Sequence, residues 1–230
     1  MTYIEKNLAE VRQTLAQAES AVGREGKTTL IAAVKYASDE ELARLLSLGI
    51  TDVGENRVQQ LLSHLPLYEG TGVRVHFIGT LQKNKVKYLV GRVAAIHSVD
   101  SAALAREIEK QAAKQGVTVP VYAEVNSGCE ESKGGVLPEE AMALCREISA
   151  LPHLHLEGLM TMAPHQERAE DYRPYFARTR ELANEIWQAL SLVGEPRLSM
   201  GMSESFAEAV AEGADAVRVG RRLFVKEKSE

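Results

Sequence analysis

No stretch of this chain approaches the roughly 18 consecutive apolar residues of a membrane helix, so no spanning segment is expected. Cysteine is almost absent. Cys129 and Cys145 stand far apart and in no CxxC arrangement, which argues against a disulfide framework or a zinc site and for two reduced thiols in a cytoplasmic protein. Positive charge is not in excess either. A net charge of -5 gives no general affinity for nucleic acid or an anionic membrane, so an anionic ligand would need a local positive site. The N-terminal MTYIEKNLAEV carries Glu5 and Glu10 and no apolar core, and it does not read as a signal peptide. No Gly-rich dinucleotide fingerprint follows the first β-rich run, and no linker or low-complexity stretch interrupts the chain.

What is present is a rhythm. The chain has 230 residues, 45% of them hydrophobic, enough to fill the core of one large α/β barrel. Ile4, Leu8, Val11, Leu15, Ala18 and Val22 recur at three- and four-residue steps, which predicts a first helix ended by Gly23 and Gly26. Short β-rich runs then alternate with longer amphipathic segments. The runs are TLIAAVK, ITDVG, VRVHFIG, VAAIHSV, VPVYAEV, LHLEGLM, PRLSM and DAVRVG. Between them lie DEELARLLSL, NRVQQLLSHL, NKVKYLV, SAALAREIEKQAAKQ, PEEAMALCREISA, YRPYFARTRELANEIWQAL and ESFAEAVAEG. A repeating βα pattern implies parallel strands with helical crossovers. Eight units predict a single α/β domain over residues 1–230: a (β/α)₈ TIM-type barrel with an extra N-terminal helix and no second domain. A doubly wound open sheet is the alternative, weakened by the missing fingerprint.

In such barrels the chemistry sits where strands run into βα loops. Lys35 closes the first run. It shares strand parity with Ala33 and Ile31, so an inward face would leave room beneath its ammonium. Desolvation would then make the amine a nucleophile toward an aldehyde. A lysine that simply snorkels to solvent fits the position equally well. After the seventh run, SMGMSES places a glycine and small hydroxyl residues before a helix, where exposed N–H groups favour an anion. Helix capping by Ser203 is the plainer reading. On the eighth run, Val217 and Val219 flank Arg218. If the valines pack on helices, Arg218 points inward and needs an acceptor, either a ring nitrogen or a carboxylate such as Glu157 or Glu124. Gly220 could add backbone donors.

Other motifs fail. Residues 21–28, AVGREGKT, look like a loose P-loop, but a helix precedes and a strand follows, the reverse of what that motif requires. Gly201-Met202-Ser203-Glu204-Ser205 has serine where a nucleophile elbow needs its second glycine. His153 and His155 have no partners suggesting a metal. Ser132-Lys133-Gly134-Gly135 reads as a loop after the fifth strand, and the tail RRLFVKEKSE as a solvated end.

The segments AAVKYAS, GENRVQQ, HFIGTLQKNKVK, HSVDS, EESKGG, GLMTMAP, LSMGMSESFAEAVAEGA and VRVG together resemble the pyridoxal-phosphate homeostasis proteins, the YggS or PROSC family, along nearly the whole chain. The resemblance implies an alanine-racemase-like barrel. It also implies that Lys35 is the Schiff-base lysine for pyridoxal 5'-phosphate and that Ser199, Gly201, Met202, Ser203 and Gly220 form the phosphate site. Arg218 would face the pyridine nitrogen, with Asn56 and His76 near the cofactor. One departure stands out. After RxG the family usually has threonine or serine, then a stretch ending in Phe-Gly; here Arg221 replaces the hydroxyl residue and Val225 the glycine. The position-221 backbone N–H remains, and Arg221 itself is a candidate phosphate partner.

An arginine is a poor proton donor, so the ring nitrogen would stay unprotonated and the ring would be a weak electron sink. That suits storage and supply of the cofactor, with apo pyridoxal-phosphate enzymes as partners, better than turnover. The expectation is a monomeric cytoplasmic carrier without catalytic activity. An amino-acid racemase is the alternative, but it needs a second acid–base group, which fold relatives take from an added domain that this chain has no residues to build. A cofactor-free Schiff-base aldolase is a third reading, and the motif set argues against it.

Overall fold

Parity along each β-rich run decides the architecture. Ala32, Val34, Val53, Val75, Phe77, Ile96, Leu198, Met200, Val217 and Val219 are all buried in one continuous apolar layer together with helix residues. Their strand neighbours therefore face the opposite side of the sheet. A sheet whose one face is wholly covered by helices closes on itself when eight strands share it. The computed structural model describes residues 2–130 and 133–226, and its strands form a closed parallel barrel in chain order. They are β1 (Thr29–Ala33), β2 (Asp52–Glu55), β3 (Arg74–Phe77), β4 (Ala95–Val99), β5 (Val119–Val125), β6 (Leu154–Thr161), β7 (Arg197–Ser199) and β8 (Ala216–Val219). Each lies within a predicted run except β2 and β6, which extend one residue further. Closure is made by β8 against β1, with Ile31 opposite Arg218 and Ala32 opposite Val219.

The first helix, α1 (Tyr3–Ala21), starts at a capping box in which Thr2 and Glu5 satisfy each other's backbone N–H. Of the predicted stripe it buries Ile4, Leu8, Val11 and Leu15; Ala18 is partly buried, and Val22, just past the helix end, is exposed. The crossover helices are α2 (Asp39–Ser47), α3 (Val58–Tyr68), α4 (Ala102–Gln115), α5 (Pro138–Ser149), α6 (Arg173–Ala189) and α7 (Phe206–Ala211). The segment NKVKYLV is not an α-helix: Lys83–Tyr88 is a 3₁₀ helix. Val86 of that helix is buried, as are Leu89 and Val90 in the turn that follows it.

The tail departs from its predicted solvated state. Residues Arg221–Phe224 form a one-turn helix, α8, with Leu223 buried. The Asn7 amide on α1 donates to the Leu223 and Val225 carbonyls at 3.1 and 3.0 Å. Residues 227–230 of that tail, and Ser132 of the SKGG loop, lie outside the described residues. Among the described residues, no helix is long and apolar enough to cross a membrane.

Candidate functional site

At the C-terminal mouth of the barrel, β1, β2, β6, β7 and β8 release their chains around a cavity of about 170 Å³. Ala33, Lys35, Asn56, Met162, Ser203, Arg218 and Gly220 line it. Lys35 does not sit at the strand's last residue in a buried slot, as its parity with Ala33 suggested. β1 ends at Ala33, and Lys35 and Tyr36 are the central residues of a turn closed by the Ala37 N–H on the Val34 carbonyl at 3.0 Å. Both are exposed, Tyr36 to 64%. The Lys35 ammonium lies 4.6 Å from the centroid of the Tyr36 ring. Its hydrogen bond and charge hold the Tyr36 phenol below the usual tyrosine range. The turn thus presents the Lys35 amino group, held beside the Tyr36 ring, at the cavity mouth.

Arg218 forms part of the floor. Val217 and Val219 pack outward, as alternation requires, and Arg218 is only 4% exposed. Its Nη1 donates to Ser199 Oγ at 2.7 Å and its Nη2 to the Thr161 carbonyl at 2.8 Å. Burial pushes the guanidinium down to about 10, with Glu124 acting in the opposite direction, so it remains charged near neutral pH. Neither Glu124 nor Glu157 pairs with it directly among the described residues.

On β2, Glu55 is fully buried and anchors the turn that carries Asn56. The Tyr68 hydroxyl donates to Glu55 Oε1 at 2.5 Å, and His64 Nδ1 lies 2.7 Å from the same oxygen. Asn56 Oδ1 is buried and finds no partner among the described residues. A buried acceptor left open on a cavity wall is a mark of a missing ligand or water.

The loop after β7 and the turn after β8 meet on the far side. Gly201 has φ +90°, and a Cβ there would stand 2.5 Å from Ala209 Cβ, so only glycine fits. Ser203 Oγ accepts from the Gly220 and Arg222 N–H groups at 3.3 and 3.4 Å. Ser203 therefore ties the two loops together, and Gly220 spends its N–H inside the fold. The N–H groups of Ser203, Glu204 and Arg221 find no acceptor among the described residues. Arg221 pairs with Glu204 at 2.6 Å.

Of the predicted residues, the structure brings Lys35, Asn56, Met202, Ser203, Arg218 and Gly220 to the cavity. Gly201 lies behind its wall. Ser199 and His76 do not line it. Ser199 is fully buried and bonded to Arg218 and His97, and His76 lies 2.8 Å from Asp52 deeper in the barrel. Tyr36, Ile78, Met162, Tyr172, Glu204 and Ser205 also line the cavity. The first was legible as the neighbour of Lys35. Tyr172, which enters from the start of α6, had no local signal.

An amine, a guanidinium and a cluster of loop N–H groups thus surround one cavity at the C-terminal mouth of the barrel. Residues 6–227 match the alanine racemase N-terminal domain family. A pyridoxal phosphate homeostasis protein of Aquifex aeolicus is 42% identical over 224 residues, covering 97% of this chain and 98% of that one. This chain belongs to the pyridoxal phosphate homeostasis protein family. PipY of Synechococcus elongatus, a structure solved with PLP bound, is 31% identical with a TM-score of 0.80, over 92% of this chain and all of that one. An alanine racemase of Clostridium difficile, 18% identical, shares the fold (TM-score 0.75), over 99% of this chain and 60% of that one. In this member of the family, Lys35, Arg218 and the serine-rich loop after β7 meet at one mouth of a single barrel.

Proposed function

We propose that the cavity binds pyridoxal 5'-phosphate, with the Lys35 amine as its Schiff-base anchor, and that the protein holds and supplies the cofactor rather than turning over a substrate. The observation that carries this reading is the meeting of three complementary donors in one cavity: the Lys35 amine, the Arg218 guanidinium, and the free N–H groups of Ser203, Glu204 and Arg221. Each suits one part of that molecule, respectively the aldehyde, the ring nitrogen and the phosphate. When bound, the cofactor supplies an electrophilic carbonyl that amines exchange on. Arg218 has five N–H groups and uses two of them on Ser199 and Thr161. It can donate to a ring nitrogen but does not protonate it, which keeps the ring a weak electron sink.

The exposed turn that carries Lys35 supports a supply role, because an amine at the mouth is open to an incoming amine or a docking apo-enzyme. Such enzymes are the partners we propose, for a monomeric cytoplasmic carrier. Racemisation needs acid–base groups on two faces of the substrate carbon, whereas Lys35 and Tyr36 occupy one turn. Purified protein incubated with pyridoxal phosphate should show a visible absorption band that borohydride removes, leaving a reduced adduct on Lys35 by peptide mass mapping. Unchanged retention in Lys35→Ala would refute the anchor. A substantial racemase rate on alanine or serine would refute the carrier role.

A further inference from the structure

Behind the cavity, hydrogen bonds run head to tail through the barrel to its opposite mouth. Arg218 Nη1 lies 2.7 Å from Ser199 Oγ on β7. Ser199 Oγ lies 2.8 Å from His97 Nδ1 on β4. His97 Nε2 is 3.0 Å from His76 Nδ1 on β3, and His76 Nε2 is 2.8 Å from Asp52 Oδ1 at the start of β2. Arg74 clamps the same carboxylate at 2.9 Å and emerges, 60% exposed, at the N-terminal mouth. The intervening groups are shielded: Asp52, His97 and Ser199 are all fully buried.

The two ends fix the direction. A guanidinium only donates, and a carboxylate only accepts. Ser199 must therefore accept from Arg218, and its one hydrogen meets no acceptor among the described residues other than His97 Nδ1. His97 then accepts at Nδ1 and, when neutral, donates from Nε2 to His76 Nδ1. His76 in turn donates from Nε2 to Asp52. Every donor meets one acceptor, and none is left over. Reversing one imidazole would set two hydrogens, or two lone pairs, face to face in a dry interior, a costly arrangement. The His97 ring is also held in plane, stacked on Tyr122 at 4.3 Å between centroids and 21° between planes. Burial, with the charges of Arg218 and Arg197 acting the same way, keeps His97 far below the usual histidine range, hence neutral.

We propose that Ser199, His97, His76 and Asp52 are positioning residues for Arg218: they form a one-way hydrogen-bond chain that fixes both imidazoles as neutral Nε2–H tautomers and aims the guanidinium at the ligand in the cavity. The chain explains why Ser199, a hydroxyl on the loop side of the barrel, is spent inside the fold. The inference rests on the cofactor reading only for its optical readout.

The test begins on the full-length, cofactor-free protein labelled with ¹⁵N. Long-range ¹H–¹⁵N correlations should show His76 and His97 as neutral rings protonated at Nε2 at pH 7. Finding either ring protonated at Nδ1, or His97 charged, overturns the chain. In Ser199→Ala the His97 ring should lose its single tautomer, pyridoxal phosphate binding should weaken about tenfold, and the visible band should move. Ser199→Thr, which keeps the hydroxyl, should restore tautomer and band. If Ser199→Ala does not fold, His97→Asn takes its place: its side-chain oxygen still accepts from Ser199, the link to His76 is cut, and the His76 signal should shift. A variant that lowers only the melting temperature, with tautomers and band unchanged, overturns the positioning role. A wild-type protein with the stated tautomers but no pyridoxal phosphate binding would refute the cofactor reading and leave the chain standing.

Discussion

Glu204→Gln is the perturbation that best isolates how this site handles an anion. Arg221 and Glu204 both line the cavity and pair at 2.6 Å, with side-chain exposures of 70% and 48%. They stand beside the free N–H groups of Ser203, Glu204 and Arg221, where a phosphate of roughly two negative charges would sit. Glu204 therefore competes with that phosphate for Arg221. An ion pair this exposed is worth at most about 1 kcal/mol, so releasing Arg221 should tighten binding roughly two- to fivefold. The gain should appear for pyridoxal phosphate and be absent for pyridoxal, which lacks the anion. It should shrink as salt rises from about 0.05 to 0.5 M, because both groups face solvent. Absorbance titrations of the two ligands at two salt concentrations measure this directly. Arg221→Ser should weaken phosphate-dependent binding and cancel the Glu204→Gln effect in the double variant. Equal effects on both ligands, or strict additivity of the two substitutions, would refute the competition.

Three further outcomes follow from burial and packing. Burial pushes the Glu124 carboxyl up to about 7, with Asp100 adding and Arg218 opposing; the folded state then holds a proton that the unfolded chain has lost, so stability falls as pH rises from about 4.5 to 7. Glu124→Gln should flatten that slope in urea unfolding at pH 5 and 8, and an unchanged slope would refute the assignment. Asp52 is the opposite case: burial opposes ionisation, but hydrogen bonds from His76, Arg74 and Thr51 prevail and hold it at about 2. Its contribution is present above about pH 4 and lost as pH falls through 2, so Asp52→Asn should be less stable than wild type at pH 6 and lose less on acidification. A Cβ at Gly220 would stand 2.9 Å from the Ala33 carbonyl oxygen and 3.1 Å from its Cβ; Gly220→Ala should cost about 1–3 kcal/mol by denaturant midpoint and weaken cofactor binding, since Ala33 lines the cavity.

The barrel was legible because its signal is local and repeated. Eight runs with β character, each followed by a helical or loop segment, leave few topologies. Lys35 was legible as a polar residue after an apolar run, but the choice between a buried and a solvent-facing side chain was not; the structure shows it exposed. The strand stops at Ala33 because the chain turns there, and that turn depends on the Ala37 N–H reaching Val34. The 3₁₀ segment at Lys83–Tyr88 misled because its spacing of apolar residues matches a short α-helix: Val86, Leu89 and Val90 are all buried, but the backbone is 3₁₀ over Lys83–Tyr88 and turns at Leu89 and Val90. Leu223 misled in the other direction: surrounded by charge in the sequence, it is fully buried beneath α1.

The interior chain marks the boundary of what sequence can say. Parity alone points every member inward: Val53 packs outward, so Asp52 does not; Val75 and Phe77 flank His76; Ile96 precedes His97; Leu198 and Met200 flank Ser199; Val217 and Val219 flank Arg218. What parity does not carry is height. Residues of the same face meet only if they occupy the same or adjacent layers, and layers are set by the stagger between strands around the closed barrel. Ser199 shows the consequence. As the first residue of SMGMS it is a phosphate contact by family resemblance, whereas in the fold it becomes the acceptor for Arg218 and the donor to a histidine on the opposite wall. A hydroxyl read from sequence as part of the ligand's first contact is, in three dimensions, the first support of the arginine behind it.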